Sequence, residues 1–212
     1  MSASNAERSR STRERILEVA AAMFAQSGYA GTSLNHILHE SGTTKGGFYF
    51  HFPSKEALAI AVIDYLREGW LASTMQGADG GTRGIDKLRA MAQASTDAYH
   101  QMPGYRAIGK LCFHLLSARP DLGPQLRATF GAWIDMTEAA FRQAQDEGDI
   151  PSHLDARGLA EVTLAAFTGM QEISELMSDG ADLDRRVATY VSLLMQLLGV
   201  PGDSVAGGED SR

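Results

Sequence analysis

The stretch from Gly42 to Glu56 reads Gly-Thr-Thr-Lys-Gly-Gly-Phe-Tyr-Phe-His-Phe-Pro-Ser-Lys-Glu and gathers groups suited to holding an anion. Thr43 and Thr44 place hydroxyls where a short helix over about Thr44 to Phe50 begins, and the free N–H groups and positive dipole end there favour phosphate. Lys45 adds a full charge. Gly46 and Gly47 leave no side chain to hold that helix off a groove floor, although glycine costs about 1 kcal/mol in a helix interior. Tyr49 offers a ring and a hydroxyl, His51 a donor and Lys55 a cation for a flanking phosphate, while Phe48 and Phe52 anchor the segment inward. By composition alone, the same residues equally describe a glycine-broken helix on an ordinary surface.

Other groupings carry less chemistry. Cys112 and His114 are two apart and point in different directions on a helix; His36 and His39 are three apart, but no third ligand stands at a telling spacing. No metal and no cofactor are therefore expected. Asp146 and Glu147 read as a solvated helix end, and the glycines between 77 and 84 follow no strand, so no dinucleotide fingerprint is present. The single cysteine, Cys112, excludes an intrachain disulfide. No charged leader with a cleavage site opens the chain, and apolar runs such as Ala57 to Ile63 fall far short of the roughly 20 residues that cross a bilayer. A cytoplasmic, non-enzymatic protein with no membrane partner is the expectation.

The elements that must position the Thr44 to Phe50 segment follow from periodicity. Residues 1–10 have no apolar period and read as a flexible arm. From Thr12, apolar Ile16, Val19, Ala20, Met23 and Phe24 recur at helical spacing until Gly28; Thr32 or Ser33 caps a second helix ending near Ser41, and Gly42 allows a sharp turn. Pro53 closes the third helix, and Ser54 starts a fourth that runs to about Met75. After a glycine-rich break, helices are predicted over Ile85 to Gln101, Tyr105 to Ala118, Pro124 to Glu147, Ala156 to Ser178 and Leu183 to Leu198. No segment alternates with period two, so the fold class is all-α. Residues 11–54 are expected to form a helix-turn-helix domain, 55–200 a larger helical domain and 201–212 a disordered tail.

The net charge of −7 seems hostile to nucleic acid, but it is unevenly placed. Residues 1–55 carry six basic and four acidic side chains, a balance of +2, and the remainder 13 basic and 22 acidic, a balance of −9. One end suits DNA phosphates and the rest repels them. In a helix-turn-helix the second helix of the pair enters the major groove, which makes Thr44 to Phe50 the reader.

The same segment closely resembles the TetR family pattern of a Lys-Gly reader helix, a Tyr-x-His-Phe run and a Lys-Glu start to helix four. The match extends over Arg13 to Leu58 and includes Ile16-Leu17, Phe24, Gly28-Tyr29, Thr32 and Ile37. The resemblance implies a dimeric DNA-binding transcriptional repressor released by a small-molecule effector. Carried over by position, Thr43, Thr44, Lys45, Gly46 and Tyr49 face bases or nearby phosphates, and Thr32, Ser33, His51 and Lys55 hold the DNA backbone. Double-stranded DNA with a pseudo-palindromic operator is the implied partner.

Beyond helix four, Trp133, Arg142-Gln143-Ala144-Gln145, Gly148-Asp149-Ile150 and Ala166-Phe167-Thr168-Gly169 resemble the γ-butyrolactone receptor branch, in which the matching tryptophan lines the effector pocket. One departure is Leu66, where that branch has a polar glutamine. On this reading Phe113, Leu116, Phe130, Phe167 and Met170 complete an apolar wall and Thr168 orients a ligand oxygen; the effector is a γ-butyrolactone-like or furan signal. The alternative is plain core packing for all of them, with Thr168 bonding its own helix.

The last two helices carry a separate signal. Leu159, Val162, Ala166, Met170, Ile173 and Met177 share a face, and Tyr190 to Leu198 is apolar nearly all round. A helix apolar on every side must be covered on every side, and the same pair from a second subunit supplies the cover as a two-fold four-helix bundle: a homodimer. The rival from another class is a helical small-molecule-binding protein or enzyme with no DNA function, which would show no sequence-specific duplex binding.

Overall fold

The computed structural model describes residues 5–76, 83–102 and 104–200. Among them the chain forms nine α-helices and no strand: α1 (Asn5–Gly31), α2 (Leu34–Glu40), α3 (Lys45–His51), α4 (Lys55–Gln76), α5 (Gly84–Gln101), α6 (Ile108–Ala118), α7 (Gly123–Asp146), α8 (Ala156–Ser178) and α9 (Leu183–Leu197). Short 3-10 turns at Tyr105–Ala107 and Pro120–Leu122 precede α6 and α7. The predicted helix from Tyr105 is thus a 3-10 turn feeding a later α-helix.

Local chemistry sets the boundaries. The side chains of Ser33, Thr44, Ser54 and Asp155 accept from the N–H groups of His36, Gly47, Ala57 and Arg157, at 3.1–3.2 Å, capping α2, α3, α4 and α8. Gly42 sits at φ +60° in the turn between α2 and α3, where a side chain would be strained. Gly28, at φ +69° and outside helical geometry, interrupts α1 where the periodicity predicts its stop, and a short further turn runs on to Gly31.

One expectation about the chain's irregular segments changes. Residues 5–10 of the expected arm are the first turns of α1, where Glu7 and Arg8 are ordinary helix formers and the Thr12 hydroxyl bonds the Arg8 carbonyl at 2.9 Å. The glycine-rich break lies outside the described residues except for Gly84, which opens α5 in close contact with the backbone of α7. The expected tail, 201–212, also lies outside them.

The chain divides into two compact units, Met1–Gln76 with Asp97–Ala132 and Gly77–Thr96 with Trp133–Arg212, so the division falls within α5 and α7. In the first unit, Ile16, Leu17, Phe24, Ile37, Phe48, Leu58, Ile63, Leu66 and Trp70 are buried among α1 to α4, and α6 packs on α1 and α4. Helices α1 to α3 therefore share one core with α4 and α6, and each large apolar side chain in it contributes roughly 1.5–3 kcal/mol. Cys112 belongs to that core. Burial and the nearby Asp64 push its thiol up to about 12, which leaves it unreactive at neutral pH.

The second unit packs Ile85, Leu88 and Met91 of α5, Phe141 and Ala144 of α7, Phe167 of α8 and Val187 and Met195 of α9. A polar clasp fixes the start of α5 to the end of α7. The Gly84 N–H donates to the Glu147 carboxylate at 2.8 Å, Lys87 donates to Gln143 at 2.7 Å, and Arg83 forks onto Asp149. A Cβ on Gly84 would lie 2.6 Å from the Ala140 carbonyl, so only glycine permits the approach. Glu147 lies at the exposed helix end that the sequence predicts and is also bonded first by Gln143 and then by Gly84, which holds its carboxyl below the usual carboxylate range.

Candidate nucleic-acid interface and ligand-facing residues

On α3, burial and exposure separate two roles within seven residues. Phe48 is fully buried and Phe52, its C-cap, is 3 % exposed; their rings lie 5.7 Å apart and seat the helix on the core. On the opposite side Lys45, Gly46 and Tyr49 face solvent. Tyr49 is half exposed, with its ring edge-on to Phe48 at 5.3 Å, so its base is fixed while its hydroxyl stays free to reach outward. A cationic helix N-terminus, a bare Gly46 and a rigid aromatic thus share one open face.

Thr44 adds a second duty to the one expected. Its oxygen accepts from Gly47 N–H as the N-cap, leaving its own O–H to donate to a phosphate. Gly47 makes room for that cap, because a Cβ there would stand 3.3 Å from the Thr44 oxygen and 3.2 Å from the Thr43 methyl. Thr43 is half-buried, its hydroxyl within 3.4 Å of the Ser41 carbonyl, and Ser33 is exposed as the cap of α2.

Two residues expected on the DNA backbone are turned inward. Thr32 is 1 % exposed and its hydroxyl lies 2.8 Å from the Gly28 carbonyl and 3.1 Å from the Met23 carbonyl, closing the kink of α1. It does not reach a phosphate. Lys55 donates to the Tyr29 carbonyl at 2.5 Å with its ammonium 4.1 Å from the centre of the Tyr29 ring. Desolvation there lowers its pKa, with Glu56 opposing. Lys55, half-buried, ties the start of α4 to the end of α1.

Around that tie lies a joint that sequence reasoning missed. The Tyr29 ring also stacks on His114 of α6 at 4.9 Å, and burial together with Glu56 pushes its hydroxyl up to about 12. Tyr29 therefore connects α1, α4 and α6 through one side chain. Phe50, 78 % exposed beside Tyr49, was also missed as a site residue, since an aromatic next to Phe48 and Phe52 reads as core until the helix is oriented. His51 is half-buried, held below its usual pKa by desolvation and then by Arg13, and is a neutral donor at physiological pH.

The expected effector residues divide between the two compact units. Phe113, 65 % exposed, Leu116, 40 % exposed, and half-buried Phe130 belong to the first; half-buried Trp133, Thr168 and Met170, with buried Phe167, belong to the second. Phe113 and Leu116 therefore stand on an open side of α6 within the first unit. Thr168 donates to the Leu164 carbonyl at 3.0 Å, the self-bonded alternative, and Phe167 meets the edge of Tyr190 at 6.0 Å.

Five findings bear on this geometry. The family model for bacterial regulatory proteins of the TetR family matches residues 16–62, and that for the tetracyclin repressor-like C-terminal domain matches residues 84–190. The A-factor receptor protein of Streptomyces griseus is 31 % identical over 88 % of this chain, and the chain spans 63 % of that relative's length. A solved structure described as the molecular basis for control of antibiotic production by a bacterial hormone is 31 % identical, with a TM-score of 0.76, over 89 % of this chain and 97 % of that one. A γ-butyrolactone receptor structure is 25 % identical, with a TM-score of 0.61, over 90 % of this chain and all of that one. The open α3 face on a buried phenylalanine anchor, the all-α body and both family matches agree: the chain belongs to the TetR family of bacterial regulatory proteins.

Proposed function

We propose that this chain is a homodimeric repressor that holds a pseudo-palindromic operator through α3 and is released by a small oxygen-bearing effector of the γ-butyrolactone or furan type. The carrying observation is the solvent-facing set Thr44, Lys45, Gly46 and Tyr49 on a helix locked from behind by Phe48 and Phe52. Locked rotamers let a reader present base-edge contacts without a large ordering cost, while Thr43, Ser33 and His51 supply polar groups for the flanking phosphates. Two-fold symmetry supplies two such helices, which fixes the spacing of the half-sites. A DNA operator as partner supports a cytoplasmic reading; separately, no described helix is long and apolar enough to cross a membrane.

The second copy is supported by exposed apolar side chains. Val162, Ile173, Leu176 and Met177 of α8 and Leu193 and Leu197 of α9 are 46–84 % exposed. Val162, Ala166, Gly169, Ile173 and Leu176 follow at spacings of four and three, a single stripe with a glycine at its middle where a partner helix can approach closely. The domain reading is that residues 11–54 read DNA and 55–200 bind effector and partner.

For the effector, Trp133 is the residue that the sequence resemblance to the γ-butyrolactone receptor branch suggests, with Phe130, Phe167, Thr168 and Met170 in support. An effector releases DNA only by binding the DNA-free arrangement more tightly, because equal affinity for both arrangements shifts nothing. α4 is the lever, and the Tyr29 joint carries its movement to α1. The test is footprinting on fragments selected from the host genome, with and without a synthetic γ-butyrolactone, on the wild type and on Trp133→Ala. Release from the wild type and retention by a stably folded Trp133→Ala are expected. Release of both alike would remove Trp133 from the pocket, and the absence of any protected site would sink the repressor reading.

A further inference from the structure

Between α5 and α9, within the second compact unit, lies a groove of about 690 Å3. Its floor is aliphatic: Ala92, Val187 and Met195 are buried and Val191 half-buried. Its polar lining is more exposed and includes Gln93 and Ser192, with Arg89 and Asp184 as the charged members. Trp133 takes no part in it. We infer that this groove is a second ligand site, for a neutral amphipathic molecule with an aliphatic body and one or two hydroxyl or carbonyl oxygens.

Size, charge and lining each narrow the occupant. Small-molecule sites span about 300–1,000 Å3 and combine an apolar floor with a few placed polar groups, as here. One cation and one anion line the groove, and Arg89 is already paired with Asp86 at 3.4 Å, so a charged ligand would meet no uncompensated opposite charge. No aromatic side chain lines it, which removes the stacking surface that a flat conjugated ring would need. Thr96, buried in the lining, donates its proton to the Gln93 carbonyl at 2.8 Å and keeps lone pairs for a ligand hydroxyl.

The position on α9 gives the site a consequence. Asp184, Val187, Val191 and Met195 recur at three- and four-residue spacing on one side of the helix, and by the same helical period the exposed Leu193 and Leu197 fall on the other. A second copy packed on Leu193 and Leu197 leaves the groove open, while a ligand in the groove bears on the same helix from behind. Only this consequence, not the site, rests on the dimer reading above.

The full-length protein titrated with glycerol monooctanoate, followed by calorimetry and by the Met195 methyl resonance, tests the site without any operator. Saturable binding that moves Met195 is expected. Ala92→Trp and Val191→Trp fill the groove and should weaken binding at least tenfold, with melting temperature and solution mass unchanged; Ala92→Leu is the milder filling should tryptophan unfold the chain. Trp133→Ala should bind within twofold of wild type. The inference is overturned by no saturable binding at millimolar concentration, by equal affinity in folded, filled variants, or by loss of binding in Trp133→Ala. Binding that emerges only after residues 201–212 are removed would assign the groove to the chain itself and overturn it as well. Failure of the operator footprint would touch none of these outcomes.

Discussion

α3 and α8 both leave large apolar side chains in water, and the company those side chains keep is different. On α3 the exposed groups are the rings of Tyr49 and Phe50, next to Lys45 and a bare Gly46. On α8 they are aliphatic, Val162, Ile173, Leu176 and Met177, and form a stripe nearly the length of the helix. Rigid rings beside a cation suit a polar, anionic surface that must be read edge by edge, whereas an aliphatic stripe finds its complement in another such stripe. Exposed hydrophobicity is one observation with two meanings, and the neighbouring polar groups decide between them.

The strongest test of the comparison sits on the inner side of α3. Phe48→Ala removes a fully buried ring and should cost about 3–5 kcal/mol of stability, read as a fall in melting temperature with DNA binding lost alongside. Phe50→Ala, two residues away and mostly exposed, should leave stability within about 0.5 kcal/mol. Equal destabilisation in both would mean that α3 does not have two distinct faces. On α8, Leu176→Asp should weaken self-association at least a hundredfold, about 2.8 kcal/mol, measured by sedimentation. An unchanged mass would show that the stripe covers nothing.

Tyr49→Ala tests the reading role itself. Operator affinity should fall by roughly 1–3 kcal/mol with non-specific binding retained, since a lost base-edge contact removes discrimination and leaves phosphate attraction. Two lysines sharpen the point further. Lys45→Ala should reduce the salt dependence of DNA binding by about one counterion with no change in melting temperature. Lys55→Ala should do the reverse, destabilising by about 1 kcal/mol through the lost Tyr29 hydrogen bond while leaving the salt slope alone. Swapped outcomes would return Lys55 to the phosphates.

The smallest effect concerns acid. Arg186, then Ser174 and Ser178, hold the Asp182 carboxyl well below the usual carboxylate range at the start of α9. A depressed folded value means that this contribution is fully present above the unfolded value near 3.9 and is lost as pH falls through it toward the folded one. Melting curves between about pH 5 and pH 2 should therefore fall less steeply for Asp182→Asn than for wild type, with the two converging in acid.

The reader was legible because its determinants are local. Caps, a turn glycine and a lysine at a helix start act within four residues, so Ser33, Gly42, Thr44 and Phe48 show their roles in the linear sequence. Thr32 and Lys55 were legible as residues and not as roles, because the partners that claim them are backbone carbonyls 9 and 26 positions away, at Met23 and Tyr29. The same holds for the body. Periodicity gave α8 its full span, Ala156–Ser178, but not the division of the expected effector residues between two packed units.

What the amino-acid order determined by itself, then, is the all-α class, the nine helices of the described residues, the basic end and α3 as a short capped helix, all set by short-range hydrogen bonding and a 3.6-residue period. Tertiary structure decided which side of each helix faces water. That choice turned Lys55 and Thr32 inward, left Phe50 and Phe113 outside, made Glu147 the cap of α5 and opened the groove between α5 and α9. A helix presents several faces of similar composition, and only the element packed against it fixes which one is buried.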